Sequence, residues 1–366
     1  MRNSLRKIIK NCLPHGIVTN RNRNRFLNEY DAWKLNGGKP VVFDSECRFS
    51  QFVSVDGYGC SGSSVVMDLL REYDGCTVWA TKPAFTENSV DGDMEYGEFD
   101  LCRHTGGLLY IEYMMRPEAW VNDFWSDDAV KNFIHTAYYS DIYQGHKELR
   151  PLFFTFFERI VGQRMRSNAP LLNVWHNRFS GLNDIFTLRM MPKDEYQLLC
   201  REFLYTLFNR LFPKGSGMLV LDHVFGDCGD DMSRFEPYLP GIKRLVVSRD
   251  VRAVYVHACK NNLRWLAHDT VEDFVEWESK MHFKSILDGD SRSLELQFED
   301  IVLEYDAEVA KVEKFLNLMP QQHVLKKRFF KPEISSSNVH AWRNAVEYAA
   351  DCEKIMSMIP QYCYKP

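Results

Sequence analysis

The sequence has no run of apolar residues approaching the roughly 20 needed to cross a bilayer, so nothing in it reads as a membrane span. No two of its ten cysteines stand at Cys-x-x-Cys spacing. They are scattered from Cys12 to Cys363, which gives no zinc-ligand pattern, and a chain of 366 residues buries enough core to need no disulfide staples. Reduced cysteines in a cytoplasmic protein are the expectation, with no metal site. No Gly-Lys-Ser/Thr follows a glycine-rich stretch, which excludes an ATPase-type phosphate loop. No Gly-x-Ser-x-Gly occurs either, so a covalent hydrolase is poorly supported. Acidic residues are missing before Glu29, while Arg2, Arg6, Lys7, Lys10, Arg21, Arg23 and Arg25 crowd that stretch. Its apolar patches are too broken for a secretory signal. Two readings stay open there: a solvated basic tail, or a peripheral foot on anionic lipid or on a polyanionic substrate. The formal net charge of -5 weighs against a dedicated nucleic-acid binder, which concentrates basic surface.

What is present is an ordinary globular composition, 45% hydrophobic and 26% charged. Residues 1–45 read as a basic N-terminal arm, and 46–366 as one α/β domain interrupted by a helical insertion over 84–215. Gln51–Asp56 reads as a strand, Ser63–Tyr73 as a helix with Val65, Val66, Leu69 and Leu70 on one face, and Thr77–Ala80 as a second strand. This order predicts a βαβ unit with its loop at the carboxyl edge of a parallel sheet. The middle carries helical patterns over Asp127–Tyr143, Leu152–Arg164 and Pro192–Phe212, whose apolar stripes read as core. Strand patterns return at Met218–Asp222, Ile242–Ser248 and Leu294–Phe298. An amphipathic helix follows over Ala307–Leu318 and, after an irregular loop, a final helix over His340–Met358.

The strongest local signal is Val55-Asp56-Gly57-Tyr58-Gly59-Cys60-Ser61-Gly62-Ser63-Ser64. Three glycines let the backbone turn sharply and approach a ligand closely. Their amides, the unsatisfied N–H groups opening the helix at Ser63, and the hydroxyls of Ser61, Ser63 and Ser64 together suit a phosphate or phosphosulfate. The Gly57-x-Gly59-x-x-Gly62 match to a dinucleotide fingerprint is weak, because no acidic residue ends the second strand.

Three further motifs follow in order. Val246-Val247-Ser248-Arg249-Asp250-Val251-Arg252 is an apolar strand ending in arginine. Leu296-Gln297-Phe298-Glu299-Asp300-Ile301-Val302 is a strand entering a helix. Ser335 to Arg343 is a late loop leading into Trp342-Arg343. With Cys60-Ser61-Gly62-Ser63-Ser64 these resemble the four signatures of the P-loop sulfotransferases, including carbohydrate sulfotransferases, over residues about 51–80 and 218–345. The resemblance implies 3′-phosphoadenosine 5′-phosphosulfate as donor, its phosphosulfate on Gly59, Cys60, Ser61, Gly62, Ser63 and Ser64. It implies Arg249 on the 3′-phosphate, with His257 where the family has a serine, and Ser337, Asn338, Trp342 and Arg343 around the nucleotide. The family carries Lys or Arg where this chain has Cys60, so Lys82, Arg103 or another basic residue would have to supply that charge.

His223, just past the Met218–Asp222 strand, is the preferred general base, with Asp222 either orienting it or capping the following segment; the resemblance to carbohydrate sulfotransferases leaves Asp222, Asp227, Asp230 and Asp231 as carboxylate rivals. His104, His176 and His257 form no metal-ligand spacing and read as ordinary packed or surface histidines, with an acceptor-site role as the alternative. The basic arm of a cytoplasmic chain points to an acceptor hydroxyl on a glycan or lipid-linked saccharide, with aryl alcohols and small metabolites still open; Trp120, Trp125, Tyr138, Tyr139, Trp175 and Phe179 suit packing against sugar faces or, for most of them, core packing. Two other functions stay open: a nucleotide-dependent kinase or phosphotransferase with a degenerate phosphate loop, and an inactive nucleotide-binding or scaffold protein.

Overall fold

A computed structural model describes residues 15–79, 108–115, 123–166, 184–225, 232–284 and 290–365. Lys82, Arg103, His104, Trp120, Trp175, His176, Phe179, Asp227, Asp230 and Asp231 lie outside them, as does the Trp125 side chain. The chain divides into two compact units, each made of two separated segments: Met1–Cys47 with Asp100–Leu211, and Arg48–Phe99 with Phe212–Pro366.

The second unit is an α/β fold built on five parallel strands. These are β1 (Phe49–Gly57), β2 (Cys76–Val78), β5 (Gly217–Asp222), β6 (Lys243–Ser248) and β7 (Ser293–Gln297), in the order β2-β5-β1-β6-β7. Strands buried on both faces read as continuous apolar runs, which is why Leu219, Val220 and Leu221 are all fully buried in β5. Side chains alternate across a strand, so Val53, Val55, Leu245 and Val247 share one face. There they meet Val66, Met67, Leu69 and Leu70 of the Ser63–Arg71 helix, and Ile301, Val309 and Val312 of the helices Phe298–Leu303 and Tyr305–Leu316. A separate core joins helices Val251–Lys260 and Val271–Lys284 through Val254, Leu266, Phe274, Ile355 and Ile359.

Glu72, fully buried at the end of the first of these helices, accepts from the amides of Lys327, Phe329 and Phe330 at 2.8–3.0 Å and lies 2.7 Å from His323 Nε2. One carboxylate thereby fastens the 323–330 segment to the sheet's first helix.

The other unit contains helices His15–Leu35, Asp123–Tyr139, Arg150–Ile160 and Lys193–Leu211 and one antiparallel pair, β3 (Val161–Arg166) with β4 (Asp184–Leu188). The basic segment thus holds a 21-residue helix. Its Phe26 is buried among Phe133, Tyr143, Phe154 and Phe157 at ring separations of 5.3–6.2 Å, and Arg23 donates to the Lys131 carbonyl.

Three expected helices have different bounds. The 127–143 pattern breaks at Ser140, whose hydroxyl accepts from the Tyr143 amide and caps a new short helix. The 152–164 pattern stops at Ile160, because Val161-Gly162 turns the chain into β3 and Arg164 binds Asp31 and Asp184. Residues 341–348 form short 3-10 turns, with His340 in left-handed backbone, and the final helix begins only at Ala349.

Candidate functional site

Three neighbouring strands end together at one edge of the parallel sheet. In register, Val55 pairs with Asp222 of β5 and Gly57 with Val247 of β6. With strands about 4.8 Å apart and residues about 3.3 Å along them, the glycine loop leaves β1 between His223 on one side and Arg249 on the other. The chain crosses away from β1 in opposite directions around this point, toward β2 and, later, toward β7. Crevices at such reversals are where open α/β sheets take ligands.

The loop itself has backbone of an unusual kind. Gly59 (φ 49°), Cys60 (φ 52°) and Gly62 (φ 91°) are all left-handed, which is unfavourable for a cysteine by about 1–2 kcal/mol. At Gly62 the requirement is also steric: a Cβ there would stand 2.6 Å from the Phe298 ring. Gly62 precedes the Ser63–Arg71 helix and supplies no side-chain cap, so the first-turn amides of Ser63 and Ser64 have no intrahelical acceptor. Ser61 is buried. Together with the helix dipole, these amides are donors of the kind an anion would accept from.

Arg249 is nine-tenths buried. Its Nη1 donates to the Cys60 carbonyl at 3.4 Å, its Nη2 to the Asn338 carbonyl at 3.0 Å, and its guanidinium carbon lies 4.8 Å from the centre of the Phe298 ring. Its Nε is buried without a protein acceptor. Burial pulls its pKa below the ordinary arginine value, opposed by Glu299, Cys60 and Asp250; a guanidinium in this range stays charged. Residues from all four sequence motifs meet here: Cys60 and Gly62, Arg249, Phe298, and Asn338.

Around this centre, Asp250 caps the Val251–Lys260 helix by accepting from the Arg252 amide, and also takes two bonds from the Arg252 guanidinium. Arg252 in turn lies 3.8 Å from the centre of the Trp342 ring, with Arg343 at 5.4 Å from it. Trp342 Nε1 is buried and unpartnered. Ser337 is exposed and its hydroxyl donates to the Ile334 carbonyl. His257 is exposed on the same helix as Arg252; burial first, then the Arg249 charge, lowers its pKa.

On the opposite flank His223 adopts left-handed backbone (φ 52°), and its amide donates to the Val55 carbonyl at 3.0 Å. Its Nδ1 lies 2.8 Å from Asp222 Oδ1. A carboxylate at Nδ1 favours the proton there and leaves the basic lone pair on Nε2, the arrangement of an oriented proton acceptor.

The sequence reading missed two acids. Asp56, fully buried near the end of β1, accepts from Ser54 at 2.7 Å through Oδ2 while Oδ1 has no partner. Burial pushes its carboxyl up to about 6, Asp222 adds to this, and His223, Ser54 and Arg244 oppose it. Glu278, on the Val271–Lys284 helix, is fully buried 3.5 Å from His282, and burial raises its pKa. The His282 ring stacks between Tyr58 and Tyr362, 4.0 Å from each. An aspartate inside an apolar strand pattern was the available signal for Asp56; Glu278 had none. Cys60 remains a thiol, since burial pushes its pKa up against the pull of Arg249. Among the described residues no group of three His, Cys, Asp or Glu is placed to hold a metal ion, and no helix is long and apolar enough to cross a membrane.

The class these observations define is an open parallel α/β fold with a glycine-rich loop and unsatisfied helix amides at its carboxyl edge. The chain matches no protein-family model and no curated protein. Among solved structures it is similar to the sulfotransferase domain from the Synechococcus PCC 7002 olefin synthase, at 13% identity and a TM-score of 0.39, covering 90% of this chain and 100% of that one. It is also similar to sulfotransferase STF9 from Mycobacterium avium, at 10% identity and a TM-score of 0.35, covering 94% and 82%. Likeness at this level says nothing of chemistry.

Proposed function

We propose that the chain is a sulfotransferase that moves a sulfuryl group from 3′-phosphoadenosine 5′-phosphosulfate to an acceptor hydroxyl on a saccharide. The observation that carries this reading is the convergence of Gly62, Arg249, Phe298 and Asn338 at the glycine-rich loop, with a buried guanidinium whose Nε has no protein acceptor. The residues fit the donor's two anionic ends. The amides and hydroxyls from Gly59 to Ser64 hold the phosphosulfate, and Arg249, with His257 nearby, holds the 3′-phosphate. Trp342, Arg343, Ser337 and Asn338 surround the nucleotide. When bound, the donor supplies a sulfuryl group on a good leaving phosphate. The chain's task is then to align the acceptor oxygen and to take its proton, which the Asp222–His223 pair does through Nε2. The work is proposed to take place in the cytoplasm, with the basic N-terminal segment touching anionic lipid at the inner membrane surface.

Titration of adenosine 3′,5′-bisphosphate into wild type and Arg249→Ala tests this. Losing a charge-assisted phosphate contact costs about 2–3 kcal/mol, or roughly 30- to 150-fold in affinity; equal affinities would remove Arg249 from its role. Cys60, a thiol where the related loops carry a fixed cation, favours a second reading in which the nucleotide is bound but not used. Tight bisphosphate binding with no transfer of labelled sulfate to a glycan panel would select it.

A further inference from the structure

The unit formed by residues 1–47 and 100–211 holds a cleft of about 700 Å³ between the Pro40–Phe43 segment, the Arg150–Ile160 helix and the start of β3. That volume is ordinary for a small-molecule site, about 300–1,000 Å³. The rim is pinned by the Val41 amide, which donates to Thr155 Oγ1 at 2.9 Å.

The charges lining the cleft fall into two groups. Arg164 is committed to Asp31 and Asp184, and Glu158 to the Tyr30 hydroxyl and Lys34. Arg159, Arg189 and Glu202 are not: among the described residues none of the three has an ion-pair partner. The Arg189 amide donates to the Ile160 carbonyl at 2.7 Å, which holds it beside Arg159 in the fold, and the Arg159 guanidinium lies 6.0 Å from the centre of the Phe43 ring.

Two uncommitted guanidiniums call for an anion, since each offers a planar fork to a carboxylate or sulfate. An uncommitted carboxylate in the same cleft repels a bare anion and is satisfied by hydroxyl donors. The aromatic and aliphatic wall suits the apolar face of a ring. We infer that this cleft binds an acidic saccharide, its carboxylate or sulfate held by Arg159 and Arg189, its hydroxyls donating to Glu202, and a ring face against Phe43 and Val41. The inference stands apart from sulfuryl transfer, because every lining residue belongs to the unit without the glycine-rich loop.

The test titrates the full chain with a glucuronate-containing disaccharide, its neutral methyl ester, a sulfated neutral disaccharide and inorganic sulfate. The expected result is saturable binding of one or both acidic disaccharides, which also tells carboxylate from sulfate. The ester should be roughly tenfold weaker or worse, as should the acidic ligand on Arg159→Gln or Arg189→Gln. Both arginines are exposed, so the variants should keep the wild-type circular dichroism. Arg249→Ala should bind the disaccharide as wild type does, which separates this cleft from the nucleotide reading. Inorganic sulfate binding as tightly as the disaccharides, unchanged affinity in both variants, or no binding at millimolar ligand would each overturn the inference.

Discussion

Asp56 offers a sharp test of the physical description of the sheet edge, because its burial is complete and its second oxygen has no partner. Its carboxyl moves from an ordinary 3.8 to about 6 on folding, with burial the main cause. The gap is worth about 3 kcal/mol. The sign follows from where the proton sits. Below about pH 4 the group is protonated in both folded and unfolded chains and costs nothing. As pH rises the unfolded chain ionises first, and the folded state loses stability until pH passes about 6. Between pH 4.5 and 8, about 2 of the 3 kcal/mol is lost. Asn cannot ionise, so Asp56→Asn removes this slope whatever constant offset the amide introduces. Urea denaturation of both proteins across that range should therefore show wild type losing about 2 kcal/mol relative to the variant, most of it below pH 6. Parallel profiles would mean that Asp56 is not held in a dry site beneath His223.

Other expectations are as direct. His223→Ala should retain bisphosphate affinity within a factor of about two while turnover falls by roughly 100-fold or more; near-normal turnover in a sulfate-transfer assay excludes it as the base. Gly62→Ala places a methyl group against the Phe298 ring on left-handed backbone, and should destabilise by about 2–4 kcal/mol and weaken bisphosphate binding. A chemical-denaturation midpoint equal to wild type would contradict that contact. Glu72→Ala leaves the amides of Lys327, Phe329 and Phe330, the last of them buried, and His323 without their acceptor, and should cost about 2–4 kcal/mol in the same assay.

The sheet was legible because its strands are short apolar runs bounded by Gly, Pro and Asp, and β1, β5 and β6 differ from expectation only at their ends. The loop was legible because glycine and serine at those spacings have few other uses. Contacts made across the sheet were not. Asp56 and Arg244 sit on different strands, and nothing local in either sequence announces that burial brings them into one electrostatic neighbourhood with His223. β3 was hidden for a related reason: Gln163, Arg164, Met165 and Arg166 carry no strand alternation, and they are extended because β4 and the carboxylates of Asp31 and Asp184 receive them. The left-handed turns at His223 and His340 likewise belong to positions, not to residue preference.

The Phe298 ring ties three positions of the chain together in evolution. It occupies the space that a side chain at 62 would need and forms the surface on which the guanidinium of 249 rests. Three positions far apart along the chain are therefore one unit of variation: a smaller residue at 298 would tolerate a larger one at 62 but leave the arginine unsupported. Relatives of this chain should exchange these three residues jointly or keep all of them, and a lineage that altered only one would be expected to carry a compensating change within reach of that ring.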